Sequence, residues 1–564
     1  MKSYISGACS TPLSGMTIGE KFDEIAMQFA EKEALVVVHQ NIRWTYKELQ
    51  LQVNKCAKSL LACGLKKGDR VGIWAPNRSE WTVLQFAAAK VGVILVNINP
   101  SYRNREVKYA LQQSGCKLLV LAEKFKTSFY TQMILDILPE LQNSAFGQLY
   151  SEELPELKMT VVLSDNSQQG FLSWHEFMAK SSEMTAEKLS ERQNSLAFDD
   201  PINIQYTSGT TGYPKGATLS HHNILNNSYF VAKTMNFTEN DRLVIPVPLY
   251  HCFGMVMGNL GCLTHGATMI YPSEGFDPLA VLQAIETEKA TALYGVPTMF
   301  IAELKHPEFE KFDLKTLRTG IMAGSPCPIE VMKKVKDIMG ISEIQIAYGM
   351  TETSPVSTQT RKGTSLEKQV STVGQVLPHI EIKIIDEING LPVPIGHPGE
   401  LCVRGYSVML GYWNDLEKTQ KAIDSARWMH TGDIAIMDKE GFINIVGRIK
   451  DMIIRGGENI YPREIEEYLY THPKVSEVQV ISIPSIEYGE EVMAWVQPKE
   501  STELTAEELI EFCKGQIAHY KVPRNFKLTN DFPMTETGKF SKEEMREISI
   551  NELGLHDAEK IKTA

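Results

Sequence analysis

The chain has 564 residues, which exceeds the size of one ordinary hydrophobic core, so we expect at least two domains. Hydrophobic residues make up 43% and charged residues 22% of the chain, which is the balance of a globular protein. The formal net charge of −12 argues against nucleic acid as the main partner, because a phosphate backbone is bound by a basic surface.

The first part of the chain alternates short apolar runs with helical patterns. Residues 70–74 predict a strand, 80–91 a helix with apolar spacing, and 92–96 and 117–121 two further strands. This is the pattern of βαβ units and indicates a largely parallel sheet.

Similar alternation returns in the middle of the chain. Strands are expected at 202–206, 243–246 and 267–271, and a helix at 278–289. The segment 376–412 is richer in Pro and Gly and predicts short strands of a small β-rich subdomain.

A domain boundary is expected at residues 448–451. A strand at 475–484 and an amphipathic helix at 507–517 follow it, enough for a compact domain of about 110 residues. We therefore predict an N-terminal domain over residues 1–449 and a C-terminal domain over 450–564. The part from Asp451 onward holds 13 Lys/Arg and 22 Asp/Glu, so its few basic residues stand out.

The nine cysteines are scattered without a C-x-x-C pair, which indicates free thiols in a reducing compartment. His251 and Cys252 are adjacent, but neighbouring side chains usually point apart and buried free cysteines are common, so we do not expect a nucleophilic pair. No H-E-x-x-H motif or Cys/His cluster suggests a structural metal site.

The most informative segment is Y-T-S-G-T-T-G-Y-P-K-G at residues 206–216. Its glycines let backbone N–H groups approach phosphate oxygens, its hydroxyls donate further hydrogen bonds, and its lysine adds a positive charge. The lysine stands between Pro214 and Gly216, so the segment is not a Walker A loop. The alternative is a flexible surface turn.

This segment resembles the signature loop of the adenylate-forming superfamily, which includes acyl- and aryl-CoA synthetases, luciferases and peptide-synthetase adenylation domains. Six further motifs follow in the family's order: P-L-Y-H-C-F-G (248–254), A-G-S-P (323–326), Y-G-M-T-E-T (348–353), H-T-G-D (430–433), G-R-I-K-D-M-I-I-R-G-G-E-N-I-Y-P (447–462) and T-G-K (537–539). They span most of the chain. Within the family, the runs at 201–205 and 399–406 most resemble fatty acyl-CoA ligases of the medium-chain type.

The resemblance implies an α/β fold. The large N-terminal domain would contain two sheet-and-helix halves and a β-rich subdomain. A small mobile α+β C-terminal lid would follow, with its hinge at Lys450.

The resemblance also implies a two-step reaction with ATP, Mg²⁺ and CoA. The carboxylate of a fatty acid attacks the α-phosphate of ATP, and the mixed anhydride with AMP gives the acyl group a good leaving group for the CoA thiol. Fatty acid and CoA are then the partners, and AMP and pyrophosphate the products.

The nucleotide residues are carried over motif by motif. The glycine loop would hold the β- and γ-phosphates, Thr351 would touch the α-phosphate, and Glu352 would bind Mg²⁺. The expected ATP/AMP-binding residues are Thr207, Ser208, Gly209, Thr210, Thr211, Gly212, Tyr213, Pro214, Lys215, Gly324, Ser325, Tyr348, Asp433 and Arg448. Among these, Gly324, Ser325 and Tyr348 would frame the adenine, Asp433 would accept bonds from the ribose hydroxyls, and Arg448 would reach the ribose or phosphate. The alternative for Glu352 is a carboxylate in the first turn of a helix.

Two further residues are expected to be catalytic. Lys539, in the T-G-K turn, would bridge the carboxylate and the α-phosphate, although spacing alone would favour a solvated surface lysine. His251 would gate the acyl tunnel near the carboxylate, and its alternative is a core histidine.

The resemblance also implies which residues contact the acyl chain and CoA. The expected tunnel walls are Val256, Gly295, Val296, Pro297, Thr298 and Gly349, with no acidic or basic residue evident, which favours an alkyl chain. CoA would pass near Gly456, Gly457 and Glu458 after the lid turns about Lys450.

Several alternatives stay open. The enzyme could load a carrier protein, or ligate aryl or branched acids to CoA. A luciferase-like oxygenase or an inactive binding module belongs to another functional class. An inactive protein should have lost at least one of the key residues, but all are present: Thr207, Glu352, Asp433 and Lys539. Acyl chain length, a monomer or homodimer, and peripheral membrane contact are not specified by the sequence.

Compartment is inferred from what the termini lack. Residues 1–7 show no signal-peptide or transit-peptide pattern, 562–564 are not a peroxisomal signal, and no run of about 18 apolar residues would span a bilayer. We expect the cytosol. The mitochondrial matrix is the alternative, for a mature form without its leader, because the medium-chain type is mitochondrial.

Overall fold

The computed structural model describes residues 1–207, 214–325, 327, 329–455, 458–535 and 539–556. These residues form two compact units. The larger unit comprises residues 5–382 and 403–429, and the smaller unit comprises residues 1–4, 383–402 and 430 to the C-terminus. Helices and strands alternate along most of the chain, so the predicted α/β class is confirmed.

The larger unit contains an eight-stranded sheet whose first six strands are parallel. Two antiparallel strands extend it on one side. In spatial order the strands are Leu172–Ser173, Met159–Val162, Leu118–Leu121, Arg70–Trp74, Ile94–Asn97, Pro201–Thr207, Lys215–Ser220 and Gly411–Tyr412.

A nine-stranded sheet is the second layer of the larger unit. Its six central strands are parallel, and antiparallel strands lie at both sides. In spatial order the strands are Gln375–Val376, Val356–Gln359, Glu343–Gly349, Thr319–Ala323, Ala292–Gly295, Arg242–Val244, Thr268–Tyr271, Glu33–Val37 and Ile42–Thr45.

Helices connect these strands and bury their apolar faces on the sheets. For example, Val281, Phe300 and Met332 of three helices pack with Ile344 of the nine-stranded sheet. The α-helices of the larger unit are Ile18–Gln28, Tyr46–Ala62, Ser79–Val91, Asn104–Ser114, Tyr130–Ile137, Trp174–Ala179, Ala186–Asn194, His221–Thr234, Gly261–His265, Pro278–Thr287, Pro297–Leu304, Ile329–Asp337, Leu366–Ser371 and Leu416–Ala422, with a two-stranded ribbon at Lys124–Phe125 and Ser128–Phe129.

Side-chain caps fix where several helices begin. Ser220, at the end of the strand that leaves the glycine loop, accepts a hydrogen bond from the Asn223 backbone, and Asn223 Oδ1 accepts one from the Ser220 backbone. This reciprocal cap satisfies two donors at the start of the helix His221–Thr234. It therefore ties the strand Lys215–Ser220 to a defined helix start.

Two sheets are built mainly from residues of the smaller unit. The β-rich sheet has the strand order Tyr4–Ser6, Ile380–Ile385, Gly399–Gly405, Met429–Met437 and Ile443–Arg448. The other has the order Glu458–Ile460, Ile453–Arg455, Gly489–Pro498 and Val475–Ser485, with Asn525–Leu528 paired to Gly489–Pro498. The helices Pro462–Tyr470, Ala506–Cys513 and Lys542–Leu553 accompany this second, α+β part.

Most predicted elements are confirmed within one to three residues. The helix expected at 507–517 is shorter and ends at Cys513, because a turn with Gly515 in the left-handed region follows it. The predicted boundary at 449/450 stays a prediction, and the two compact units divide the chain at other positions. Among the described residues, no helix is long and apolar enough to cross a membrane.

Candidate active site

Parallel strands of the nine-stranded sheet bring several predicted residues to one edge. The strands Ala292–Gly295, Thr319–Ala323 and Glu343–Gly349 are parallel neighbours, so their carboxyl ends meet at the same edge. Ligands of open α/β sheets bind outside such an edge. It carries predicted adenine residues and predicted acyl-wall residues together.

At two positions of this edge, steric constraints explain why the residue is glycine. Gly324 has φ +90°, and a Cβ built on it would lie 3.1 Å from Cγ1 of Val296, so the predicted adenine and acyl residues are neighbours. A Cβ on Gly349 would lie 1.8 Å from the carbonyl oxygen of Pro355. Any larger residue at 349 would displace the turn Thr351–Thr353 that follows, which holds two predicted catalytic residues.

The signature segment begins and ends on two antiparallel strands that form a hairpin. Thr207 and Lys215 are the last paired residues of two antiparallel strands, so both lie at its mouth. The predicted residues Ser208, Gly209, Thr210, Thr211, Gly212 and Tyr213 lie outside the described residues. Pro214 accepts a hydrogen bond from the Tyr109 hydroxyl, and Lys215 Nζ lies 5.2 Å from the ring centre of Tyr412.

Glu352 lies beside this hairpin mouth and is buried, with 5% of its surface exposed. Its Oε1 accepts a hydrogen bond of 2.8 Å from the Tyr412 hydroxyl and one of 3.3 Å from the Thr207 hydroxyl. Burial and the neighbouring Glu352 charge raise the pKa of Tyr412, so the tyrosine remains a donor. A buried carboxylate with hydroxyl neighbours fits a hard cation such as Mg²⁺.

Tyr412 was missed by the sequence reasoning. It is contributed by the short edge strand Gly411–Tyr412, about 60 residues beyond the motif it supports, and the G-Y-W run was the only signal. Its hydroxyl positions the Glu352 carboxylate.

His251 and Cys252 do not form a nucleophilic pair. The Cys252 thiol is buried and donates to Oε1 of Gln205 at 3.0 Å. Burial raises the pKa of Cys252 to about 12, so the thiolate is scarcely populated at neutral pH. The ring of His251 packs against that of Tyr250, with centres 4.6 Å apart.

We predict that Cys252→Ser retains acyl-CoA formation within about threefold, because serine can also donate to Gln205. A matched Cys262→Ser variant, at another buried cysteine, serves as the control for changes in packing. Steady-state rates of acyl-CoA formation by both variants and the wild type test this prediction. Complete loss in Cys252→Ser alone, with the fold intact by circular dichroism, would restore a nucleophilic role.

A buried polar network behind Cys252 was also missed. Gln205 Nε2 donates to Asn203 Oδ1, and Asn203 Nδ2 donates to Asn97 Oδ1, while Asn97 Nδ2 donates to the carbonyl of Tyr250. Asn203 and Gln205 lie on the strand Pro201–Thr207, at polar positions that alternate with apolar ones. They are buried because the strand is central in its sheet and covered on both faces.

The remaining acyl-wall residues lie on two helices. Val256 is fully buried in a π-helix, Phe253–Leu260, a conformation frequent at functional sites. Pro297 and Thr298 begin the helix Pro297–Leu304. This helix also carries Glu303, which is buried, and this burial raises the pKa of its carboxyl.

Asp433 and Arg448 lie in the smaller unit. They face each other across two antiparallel strands, and Arg448 Nε lies 3.0 Å from Asp433 Oδ1. Asp433 is buried, whereas the Arg448 side chain is more than half exposed. The guanidinium thus orients the Asp433 carboxylate.

Lys539 is brought near this pair. Its backbone is fixed by two hydrogen bonds with Thr535, next to a β-bridge between Met534 and Phe540. Desolvation by the surrounding protein lowers the pKa of the Lys539 ammonium. The positive charge of Arg448 lowers it further, while Asp433 opposes the shift.

Glu400 supports the H-T-G-D motif and was not anticipated. Its Oε1 accepts from the Gly432 backbone at 3.2 Å and its Oε2 lies 2.8 Å from His430 Nδ1. The Thr431 hydroxyl donates to the carbonyl of Leu401 and accepts from the Asp433 backbone. These bonds fix the backbone that presents Asp433.

The predicted hinge and CoA residues are described only in part. Lys450 is exposed in the single turn Ile449–Asp451 between two strands. Gly456 and Gly457 lie outside the described residues, and Glu458 begins the strand Glu458–Ile460. Their roles stay predictions.

Comparison with protein families agrees with the motifs. A family model described as AMP-binding enzyme matches residues 22–413, and a model described as AMP-binding enzyme C-terminal domain matches residues 464–539. The chain belongs to the AMP-binding enzyme family. The predicted membership is therefore confirmed.

Individual relatives and solved structures agree with this family membership. A medium-chain acyl-CoA ligase, ACSF2, of Danio rerio is 48% identical over 98% of this chain and 91% of that relative. Among solved structures, ATP-bound MatB from Rhodopseudomonas palustris has a TM-score of 0.82 at 28% identity, over 95% of this chain and all of that one. A fatty acyl CoA synthetase of Mycobacterium tuberculosis has a TM-score of 0.70 at 28% identity, over 94% and 98%. The predicted likeness to the medium-chain type is confirmed.

Proposed function

We propose that the protein ligates a medium-chain fatty acid to CoA through an acyl-adenylate, with release of AMP and pyrophosphate. The observation that carries this proposal is the hydrogen-bonded group of Thr207, Glu352 and Tyr412 at the mouth of the signature hairpin. It joins two family motifs that lie 145 residues apart in the sequence. Relatives named as an acyl-CoA ligase and a fatty acyl CoA synthetase support acyl-CoA formation.

In the first step, the chain's own groups position two anions and reduce their repulsion. Thr207, Lys215 and the signature loop bind the terminal phosphates, and Thr351 contacts the α-phosphate. Glu352 would hold Mg²⁺, which supplies positive charge to the phosphates when bound. Lys539 bridges the carboxylate and the α-phosphate.

The nucleoside is held at its other end. Asp433 accepts hydrogen bonds from the ribose hydroxyls, and Arg448 orients that carboxylate and reaches the ribose or phosphate. Tyr348, Gly324 and Ser325 enclose the adenine, at the edge where the parallel strands end. Fixing both ends of the nucleotide supports in-line attack by the carboxylate.

In the second step, the CoA thiol attacks the acyl carbonyl and AMP leaves. We assign Gly456, Gly457 and Glu458 to the passage of the CoA arm and Lys450 to the hinge. We assign to His251 the gating of access to the carbonyl. These assignments rest on the motif positions.

An alkyl substrate is favoured by the character of the proposed acyl wall. Gly295, Val296 and Pro297 are small or apolar, and Val256 is buried. Loading of a carrier protein, or ligation of an aryl or branched acid to CoA, remains the alternative within the same chemistry.

The test is AMP release with ATP and Mg²⁺ across straight-chain acids from short to long, plus benzoate and an amino acid, with and without CoA. The proposal predicts CoA-dependent release that peaks at a medium chain length. Release independent of CoA would favour carrier loading. A peak at benzoate would favour the aryl alternative, and no release with any acid would contradict the proposal.

We predict that Lys450→Pro slows thioester formation from preformed acyl-AMP at least tenfold while adenylation changes less than threefold. Proline fixes φ and removes a backbone donor, so it stiffens the proposed hinge. Lys450→Ala is the matched control, because it removes the same charge without restricting the backbone. Wild-type rates in both half-reactions of Lys450→Pro would place the hinge elsewhere or make its motion non-limiting.

The cysteines and one relative bear on the compartment of the protein. The nine cysteines are all free, as expected in a reducing compartment. We propose the cytosol, with the mitochondrial matrix as the alternative because the Danio rerio relative is named as mitochondrial. Monomer or homodimer and peripheral membrane contact remain open proposals.

A further inference from the structure

Glu400, Cys402 and His430 form a three-residue group on two neighbouring strands. Glu400 and Cys402 are two residues apart on the strand Gly399–Gly405, so they share one face, and His430 lies on the adjacent strand Met429–Met437. Their ligand atoms all lie within 4.8 Å of one another. About 30 residues separate His430 from the other two, which is why no sequence motif showed the group.

The distances match a tetrahedral metal site. Cys402 Sγ lies 3.7 Å from His430 Nδ1, and ideal Zn–S and Zn–N bonds at a tetrahedral angle place these atoms ~3.6 Å apart. The 2.8 Å separation of His430 Nδ1 and Glu400 Oε2 is that of a hydrogen bond, and it must open by about 0.6 Å to admit a metal. A modest side-chain adjustment achieves this.

Burial and access also suit a metal. Cys402 is fully buried and Glu400 nearly so, whereas the His430 side chain is 30% exposed. The ion therefore has an entry path past the imidazole, and solvent can supply a fourth ligand. Thiolate and imidazole select a borderline-soft cation, so Mg²⁺ at assay concentrations does not compete.

We propose that Glu400, Cys402 and His430 bind one Zn²⁺-like divalent cation, and that the bound ion displaces Asp433 and slows adenylation. Binding releases the thiol proton of Cys402 to solvent and replaces the His430–Glu400 hydrogen bond, with the imidazole proton carried on Nε2. Glu400 also holds the Gly432 backbone, so its movement onto the metal shifts the residue before Asp433. The effect on adenylation rests on the proposed function, but metal binding does not.

Titration of the full chain with Co²⁺ tests the binding. The wild type is expected to develop cobalt–thiolate charge-transfer absorption at one equivalent. Cys402→Ser is expected to lose it, and His430→Gln to bind at least tenfold more weakly. Cys9→Ser, which changes an exposed cysteine, is the matched control and should behave as the wild type. No thiolate band in the wild type, or an unchanged band in both site variants, would overturn the proposal.

A second readout separates the two parts of the proposal. Zn²⁺ should lower AMP release at least tenfold in the wild type and in Cys9→Ser, and should leave the rate of Cys402→Ser unchanged. Equal inhibition of all three would refute the link to Asp433, even if Co²⁺ binds as expected. If the protein releases no AMP with any acid, the Co²⁺ titration still decides whether the site exists.

Discussion

Lys539→Ala is expected to lower acyl-AMP formation by about 10²–10³-fold, because the ammonium offsets the repulsion between carboxylate and α-phosphate in the transition state. Thioester formation from preformed acyl-AMP should change by less than threefold, since that step no longer joins two anions. The two half-reactions are measured separately, by pyrophosphate release without CoA and by conversion of synthetic acyl-AMP with CoA. Lys539 is near Asp433 and Arg448, which are assigned to the nucleotide.

Lys514→Ala is the matched control for Lys539. Lys514 lies in the same C-terminal region, is largely exposed and pairs with the exposed Glu511. This variant should keep both half-reactions at the wild-type rate. An equal loss of both half-reactions in Lys539→Ala would contradict the assignment to adenylation.

The lowered pKa of Lys539 adds a pH dependence to this prediction. The lysine is cationic below its pKa and loses its charge above it, so kcat/KM for ATP should fall as pH rises through a value below 10.5, the ordinary lysine pKa. Lys539→Arg should keep its residual rate to higher pH, because arginine stays protonated. An unchanged alkaline limb in this variant would assign the limb to another group.

Glu352→Gln is expected to lower adenylation by about 10²–10³-fold with little change in fold, because the amide keeps an oxygen for Tyr412 and Thr207 but loses the charge that holds Mg²⁺. Raising Mg²⁺ should restore part of the rate. Adenylation rates as a function of Mg²⁺ concentration measure both effects.

Two further variants serve as comparisons for Glu352→Gln. Tyr412→Phe removes one hydrogen bond worth about 1 kcal/mol and should cost only about fivefold in adenylation. Glu417→Gln, at an exposed carboxylate of the same unit, should have no effect. If Glu352→Gln adenylates at the wild-type rate with the same Mg²⁺ dependence, the metal is held elsewhere.

The parallel sheets could be predicted because their strands and helices carry strong local patterns. The strand Arg70–Trp74 and the helix Ser79–Val91 lie within a residue of their predicted bounds. The α/β class followed from this alternation. Register and spatial strand order could not be predicted, since they depend on contacts between segments far apart in the chain.

The candidate site was predictable where a residue stands inside a recognisable motif, as Thr207 and Glu352 do. Tyr412 holds Glu352, and Glu400 holds the H-T-G-D motif, through hydrogen bonds from other segments, and short runs such as G-Y-W carry little information alone. The contact of Gln205 with Cys252 could not be predicted for a different reason. The strand pattern alone does not show that both faces of the sheet are covered, so that the Gln205 amide is buried and binds Cys252.

The central claim is that the acid is activated as an acyl-adenylate, and oxygen labelling tests it most directly. The protein is incubated with ATP, Mg²⁺, CoA and octanoate carrying ¹⁸O in both carboxylate positions, and the products are separated for mass spectrometry. The account predicts one ¹⁸O in the phosphate of AMP and none in pyrophosphate. Label in pyrophosphate or phosphate, with unlabelled nucleotide, would show attack at another phosphorus and contradict the assignment of Lys539, Thr351 and Glu352 to the α-phosphate.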